Sequence, residues 1–355
     1  MAKRSPNRSL LSWTRVRPVT RRRLLIASSG AMLVAACGTT DAPDAAESRP
    51  TPAASDAAQR AVSDCVTVAH DAGESKVCGQ PESVAVLSVY MLDLLLSLGV
   101  QPAAFAEVGV AQVGSTNLGA PVKQVKYLGE RVTSDPVFLG DRAEPSIETL
   151  LRVQTDLILG ELGIHQEIYD ELSQVAPTVL VSGADRDEWQ RALPAVALAL
   201  GDPDAAGRAI EAHRQRITAA RAELAPTVAG RSVLLLSSSG IGEPFGVFTP
   251  ERWAGGLMED IGITLVVPQS NGSQHDRVSL EFLPQIQADE IIVAASGRNT
   301  PESAEKEWND SPVLRLMPAT RDGRVHFVDY QLWSRIRGPI AAELVIEEVR
   351  RLLRA

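Results

Sequence analysis

The chain has 355 residues, 45% of them apolar, which is enough to bury one large core or two of ordinary domain size. Its formal charge is -9, yet the first 36 residues hold eight Lys or Arg and no acid, so removing those eight positive charges leaves -17 for the rest. A body that acidic repels a phosphate backbone and argues against nucleic acid as a partner.

The amino-terminal segment reads as an address. Thr20-Arg21-Arg22-Arg23-Leu24-Leu25 opens an apolar stretch that runs through Met32, Leu33 and Val34 to Ala35-Ala36-Cys37. Basic residues, a short apolar core and small residues before a cut are the parts of a secretory signal, and the run is too short and too rich in Ser and Gly for a membrane-spanning helix. Val34-Ala35-Ala36-Cys37 resembles the bacterial lipobox, whose Cys is acylated and becomes the new amino terminus. The paired arginines partly resemble a twin-arginine export signal. These resemblances imply a signal peptide over residues 1–36, with the exported chain anchored to the outer face of the cell membrane by acylated Cys37. A signal peptide cut elsewhere, with Cys37 incidental, is the alternative. Residues 37–60 are Ala, Asp, Pro, Ser and Thr with almost no large apolar side chain, the composition of a flexible tether.

Cys65 and Cys78 fall on the two arms of an expected hairpin with Asp71-Ala72-Gly73 at its turn. Export and an even count once Cys37 is set aside predict a disulfide between them; two buried thiols are the alternative. The continuous apolar runs Val84-Ala85-Val86-Leu87, Asp156-Leu157-Ile158-Leu159 and Thr178-Val179-Leu180-Val181, with helical patterns between them, predict a mostly parallel sheet covered on both faces in a first α/β lobe over 61–182. Asp202-Pro203 then reads as an N-cap and first-turn proline, with Pro226 and Gly230 just beyond the far end. Ala206, Ile210, His213, Ile217, Ala220 and Leu224 recur at alternating fours and threes, the stripe of one long helix within a linker over 183–229. Strand patterns restart at Val233-Leu234-Leu235-Leu236, Ile263-Thr264-Leu265-Val266-Val267, Glu290-Ile291-Ile292-Val293 and Val325-His326-Phe327-Val328. A helix after Gly338-Pro339 closes a second α/β lobe over 230–355. The fold class is therefore α/β, two Rossmann-like lobes joined by one long helix, and so stiff a connector predicts small domain motion.

Several blocks in this order carry a resemblance. Gln80-Pro81-Glu82-Ser83 before the first strand, Glu144-Pro145-Ser146-Ile147-Glu148-Thr149-Leu150, Leu257-Met258-Glu259-Asp260-Ile261-Gly262 and Gly323-Arg324-Val325-His326-Phe327-Val328-Asp329 together resemble the periplasmic binding proteins of the iron-siderophore and cobalamin class. The resemblance covers nearly the whole mature chain and departs at Ile261-Gly262-Ile263, where that family has a small residue and paired glycines. It implies a monomeric carrier that holds a ferric siderophore between its lobes and hands it to an ABC permease with its ATPase. No cofactor is expected, because the iron is already coordinated by the siderophore. Such a cleft needs apolar and aromatic surface and cations. Tyr90, Phe248, Trp253, Tyr330 and Trp333 are the candidate surfaces, with Arg142, Arg298, Arg335 and Arg337 as the cations. Trp333-Ser334-Arg335-Ile336-Arg337, read as an extended loop, turns alternate residues one way. The family also docks one exposed acid per lobe on arginines of the permease, which here implies Glu148 and Glu259, with Glu144 as the alternate.

Competing chemistries leave weaker traces. The chain has no G-x-S-x-G, H-E-x-x-H, Walker loop or G-x-G-x-x-G after a strand, so enzymatic chemistry is not expected. Ser237-Ser238-Ser239-Gly240 after a strand could cradle an anion, but it lacks the partner residues of a nucleophile site and reads as a turn. The histidines at 70, 165, 213, 275 and 326 are scattered without ligand spacing, which disfavours direct zinc or manganese binding. Cobalamin or haem on the same fold stays open as cargo, since haem propionates are anionic too.

Overall fold

The computed structural model describes residues 65–107, 121–270, 273–274 and 276–353, all within one compact unit. The expected signal peptide, tether and Cys37 lie outside the described residues.

The hairpin forms as its turn residues require. β1 (Cys65–His70) pairs antiparallel with β2 (Gly73–Cys78), and the register sets Cys65 opposite Cys78, which are disulfide-bonded. Gly73 holds φ +137, a backbone angle that side chains rarely adopt. The hairpin is tied to the first lobe by the Ser75 hydroxyl, which donates to the Thr178 carbonyl at 2.7 Å, and by the Asp71 carboxylate, which accepts the Ser182 N–H at 2.6 Å.

The first sheet contains β3 (Val84–Val86), β4 (Ala104–Phe105), β5 (Val137–Phe138), β6 (Leu157–Glu161) and β7 (Thr178–Val181), all parallel, in spatial order β5-β4-β3-β6-β7. Every residue of β3, β6 and β7 is buried, as continuous apolar runs demand. The order reverses beside β3, so a crevice opens at the carboxyl ends of β3 and β6. Helix α1 (Val89–Ser97) starts on Ser88, whose hydroxyl accepts the Met91 N–H, and α2 (Ile147–Val153) starts likewise on Ser146. Helix α3 (Tyr169–Val175) and helix α4 (Glu188–Ala199) follow.

The long helix is α5 (Pro203–Val228), 26 residues or about 39 Å. On its expected stripe Ala206, His213, Ala220 and Leu224 are buried, and Ile210 and Ile217 half-buried. Two end signals behave differently from expectation. Asp202 makes no side-chain cap; its carboxylate accepts from Arg208 at 2.6 Å instead. Pro226 lies inside the last turn rather than beyond it, where its missing N–H affects only one bond of a terminating helix.

The second sheet runs β13 (Arg277–Val278), β9 (Phe245–Val247), β8 (Ser232–Ser238), β14 (Glu290–Ala295), β15 (Val325–Asp329), with β10 (Thr264–Leu265) beside the start of β8. β10, β8, β14 and β15 are mutually parallel, whereas β9 runs antiparallel to its neighbours β8 and β13. The strand expected over 263–267 shrinks to the two residues of β10, and β11 (Gln269–Ser270) with β12 (Ser273–Gln274) forms a separate small hairpin. Around this sheet lie α6 (Trp253–Asp260), α7 (Pro301–Asp310) and α8 (Pro339–Leu353).

One buried cluster runs without interruption from Val84, Leu157 and α1 through α4, α5 and α6 to Val233, Ile292 and α8, while two smaller clusters cover the outer faces of the two sheets. A polar clasp reinforces this continuity. Asp93 of α1, fully buried, accepts the N–H groups of Gly338, Ile340 and Ala341 at 3.0, 3.1 and 2.9 Å, together with the Ser97 hydroxyl at 3.0 Å. Its carboxylate thus caps the first turn of α8, 245 residues away. Burial pushes Asp93 up to about 6 against the pull of those bonds. Only glycine fits at 338, because a Cβ there would lie 2.5 Å from the carboxylate.

Candidate functional site

The residues that follow the carboxyl ends of β6, β7 and β15 line one cleft of about 480 Å³. From the first lobe come Arg142, Glu161, Ser182-Gly183-Ala184 and Glu188; from the second come Arg252, Tyr330, Ser334, Arg335 and Arg337. Two further cavities, of about 320 and 310 Å³, share Ser237, Gly246 and Tyr330. The first adds Phe248, Trp253 and Trp333; the second adds Ser239, Arg277, Ser296 and Arg335.

The first-lobe wall is built around a histidine. Nδ1 of buried His165 accepts the Glu161 N–H at 2.9 Å, so Nε2 carries the proton and donates to the Arg142 carbonyl at 2.8 Å. Burial lowers the pKa of this imidazole, which keeps that neutral tautomer. Gly160 makes room for it, since a Cβ there would lie 3.0 Å from the ring and 2.8 Å from Leu180. His165 thereby fixes the backbone of both Glu161 and Arg142. The two side chains meet in turn: the Glu161 carboxylate accepts from Arg337 and stands 3.8 Å from Arg142.

The second-lobe wall is a short π-helical turn, Gln331–Arg335, followed by extended backbone at Ile336. This corrects the reading of 333–337 as an extended loop with alternate residues facing one way. In the turn Trp333 points inward, is fully buried and donates its indole N–H to Glu348 at 2.6 Å, whereas Ser334, Arg335 and Arg337 line the cleft. Arg335 has no ion pair among the described residues, and its Nη1 is buried without a hydrogen-bond partner.

The other candidates divide by exposure. Tyr330 and Phe248 are half-buried, with ring centroids 6.2 Å apart and planes tilted by 45°, and offer aromatic surface. Trp253 is 4% exposed and backs the second cavity. Tyr90 is fully buried and supports the wall from behind: its hydroxyl donates to the Ser182 carbonyl at 3.0 Å, Arg337 lies over its ring at 4.8 Å, and Gly183 leaves the space that ring fills. Burial raises the pKa of that hydroxyl. Arg298 is exposed on the loop after β14 and lines none of the three cavities, so the structure does not bring it to the cleft. Glu148 and Glu144 are exposed, Glu148 in the first turn of α2; Glu259 is half-exposed and held by Arg186 at 3.0 Å.

Sequence reasoning missed Glu161, Arg252, Asp185, Glu188, Ser296 and Arg277, and it set aside Ser237 and Ser239 as part of a turn although they line cavity walls. Glu161 had a signal: it is the only charge in the run Leu157–Ile164 and closes a wholly buried strand. Among the described residues no three His, Cys, Asp or Glu side chains converge to hold a metal ion. His213 packs edge-to-face on Trp189, His326 meets Glu290 at 3.1 Å, and His275 lies outside the described residues.

Two α/β lobes, one built on a parallel sheet and one on a mixed sheet, together with a long linking helix and an interlobe cleft define a two-lobed binding protein. The chain belongs to the periplasmic binding protein family, whose model matches residues 84–332. It is 29% identical over 285 residues to the Fe(3+)-citrate-binding protein YfmC of Bacillus subtilis (strain 168), covering 79% of this chain and 84% of the relative. It is 24% identical over 281 residues to the Fe(3+) dicitrate-binding periplasmic protein FecB of Escherichia coli (strain K12), covering 79% and 87%. Among solved structures, Staphylococcus aureus SirA complexed with staphyloferrin B superposes with a TM-score of 0.65 at 20% identity, covering 81% of this chain and 98% of that one.

Proposed function

We propose that the exported chain is the substrate-binding lipoprotein of an ABC importer and that it carries a ferric siderophore, with an anionic, carboxylate-rich chelate such as ferric citrate as the best match. The observation that carries this reading is Arg335, a guanidinium with a buried, unbonded nitrogen in a wall shared by two cavities. An arginine fork left unsatisfied beside Arg142, Arg252, Arg277 and Arg337 supports recognition of carboxylate oxygens. Serine hydroxyls at the ends of β8 and β14 add donors, and among the described lining residues the more exposed aromatic surface comes from Tyr330 and Phe248, with Trp253 and Trp333 buried behind it, which favours a compact polar chelate over a broad porphyrin or corrin face. The names of the relatives point the same way.

In this reading the protein binds without transforming, needs no cofactor of its own, and acts as a monomer with lobes over 61–182 and 230–355 linked by 183–229. Cys37 is the lipid attachment point on the outer face of the cell membrane. Glu148 and Glu259 dock on the permease, which the ATPase drives; Arg186 holds Glu259 in place at that rim. Charges at such a rim set orientation and encounter rate more than affinity.

The test is to titrate the mature protein with ferric citrate, a ferric catecholate, a ferric hydroxamate, haemin and cobalamin while following tryptophan fluorescence, for which Trp253 and Trp333 stand in the cleft wall. Saturable quenching by ferric citrate is expected. Quenching by haemin or cobalamin alone overturns the cargo, and turnover of any of these compounds overturns the carrier role.

A further inference from the structure

Glu161 occupies the guanidinium edges that an anionic cargo would need. One carboxylate oxygen takes Arg337, and the other faces Arg142 at 3.8 Å without a hydrogen bond. The carboxylate is 9% exposed and Arg337 14%, so the pair sits where little solvent screens it. The remaining cleft charges are also matched: Arg252 stands 3.1 Å from Asp185, and Glu188 accepts the Asp185 N–H while facing Arg191 at 3.8 Å. Of the four arginines lining the main cleft, only Arg335 has no carboxylate partner among the described residues.

We infer that Glu161 is a built-in surrogate for cargo, a specificity-determining residue that fixes how much negative charge a chelate must bring. This rests on the carrier reading above. A neutral chelate meets Arg335 and gains little from Arg337 and Arg142, whose positive charge Glu161 balances, although Arg337 Nε is itself buried without a hydrogen-bond partner. A chelate with several carboxylates meets Arg335 and also competes for the two arginines that Glu161 holds. A buried ion pair is replaced at little loss only by a partner that supplies equivalent bonds, so the contact acts as a charge filter. The His165 bond is made to the Glu161 backbone, so the wall keeps its shape when the carboxylate is altered.

The sign of the effect separates this role from simple positioning of Arg337. Glu161→Gln, which keeps side-chain shape, should bind ferric citrate and metal-free citrate about tenfold more tightly than the wild type, the scale of removing one competing charge at a partly shielded site. Binding of ferrichrome, a neutral trihydroxamate chelate, should change less than about twofold, since charge removal leaves uncharged contacts intact. Calorimetric titration of full-length protein gives all three affinities, and thermal melting checks folding. If Glu161→Gln melts early, Glu161→Ala removes the same charge and must show the same direction. Unchanged or weaker citrate binding by the charge-free variants overturns the inference and leaves Glu161 as a positioning group. Tighter binding of metal-free citrate while no ferric chelate binds upholds the inference and overturns the cargo. Absence of binding by all three proteins to all three probes overturns both.

Discussion

His213 on α5 makes stability depend on pH in a calculable way. The ring is 7% exposed, packed edge-to-face on Trp189 at 4.8 Å, and burial together with Arg216 lowers it from 6.5 to about 4. Between those values the unfolded chain binds a proton that the folded chain refuses, so stability falls as pH drops from 6.5 towards 4. The full loss is about 3 kcal/mol. Asp93 works in the opposite sense: burial lifts it from 3.8 to about 6, so the folded chain takes up its proton first on acidification and regains about 3 kcal/mol over much the same interval. The two groups nearly cancel in the wild type. His213→Leu removes one side of the balance, so urea-unfolding free energies at pH 7.5, 6, 5 and 4 should show the variant gaining on the wild type by about 3 kcal/mol across the series. A difference between the two proteins that stays constant over that range would refute the reasoning.

Arg335→Ala should weaken ferric citrate binding roughly thirtyfold without moving the melting temperature, because its guanidinium has no ion pair among the described residues; calorimetry and thermal melting read the two effects. Gly338→Ala puts a Cβ into the Asp93 carboxylate and should destabilise by about 2–4 kcal/mol, measured by denaturant titration, with a parallel loss of affinity as residues 335–337 shift. Replacing Cys65 and Cys78 with Ser opens a loop of sequence separation 13 and should lower stability by about 3 kcal/mol, while leaving chelate affinity unchanged. Glu148→Ala with Glu259→Ala should leave binding intact and slow iron uptake by cells; normal uptake would remove both residues from the docking role.

Half-buried β15 was readable from its β-branched and aromatic residues, whereas continuous apolar runs made β3, β6, β7, β8 and β14 readable, because a strand buried on both faces admits few polar residues. The stripe on α5 was readable for the same reason, its spacing being a property of the helix itself. The cleft was less so. Trp333, Arg335 and Arg337 suggested alternation, but the π turn at Gln331–Arg335 rotates each residue by a different amount, sending Trp333 to the core and Arg335 to the cavity. Glu161 and Arg252 depend on partners across the cleft, and no local spacing encodes such a meeting. Asp93 is a lone acid in an otherwise apolar helix, which marks it as bonded, but its three donors follow residue 337 and are visible only once the chain has folded back.

The unbroken apolar core that runs through both lobes also bears on the carrier role proposed above. In that reading, a chain whose halves share one core would keep nearly the same silhouette empty or full, leaving a permease little by which to turn away an unladen molecule. Vacant copies would then queue at the same gate, and making more of the protein when cargo is scarce would slow delivery rather than speed it.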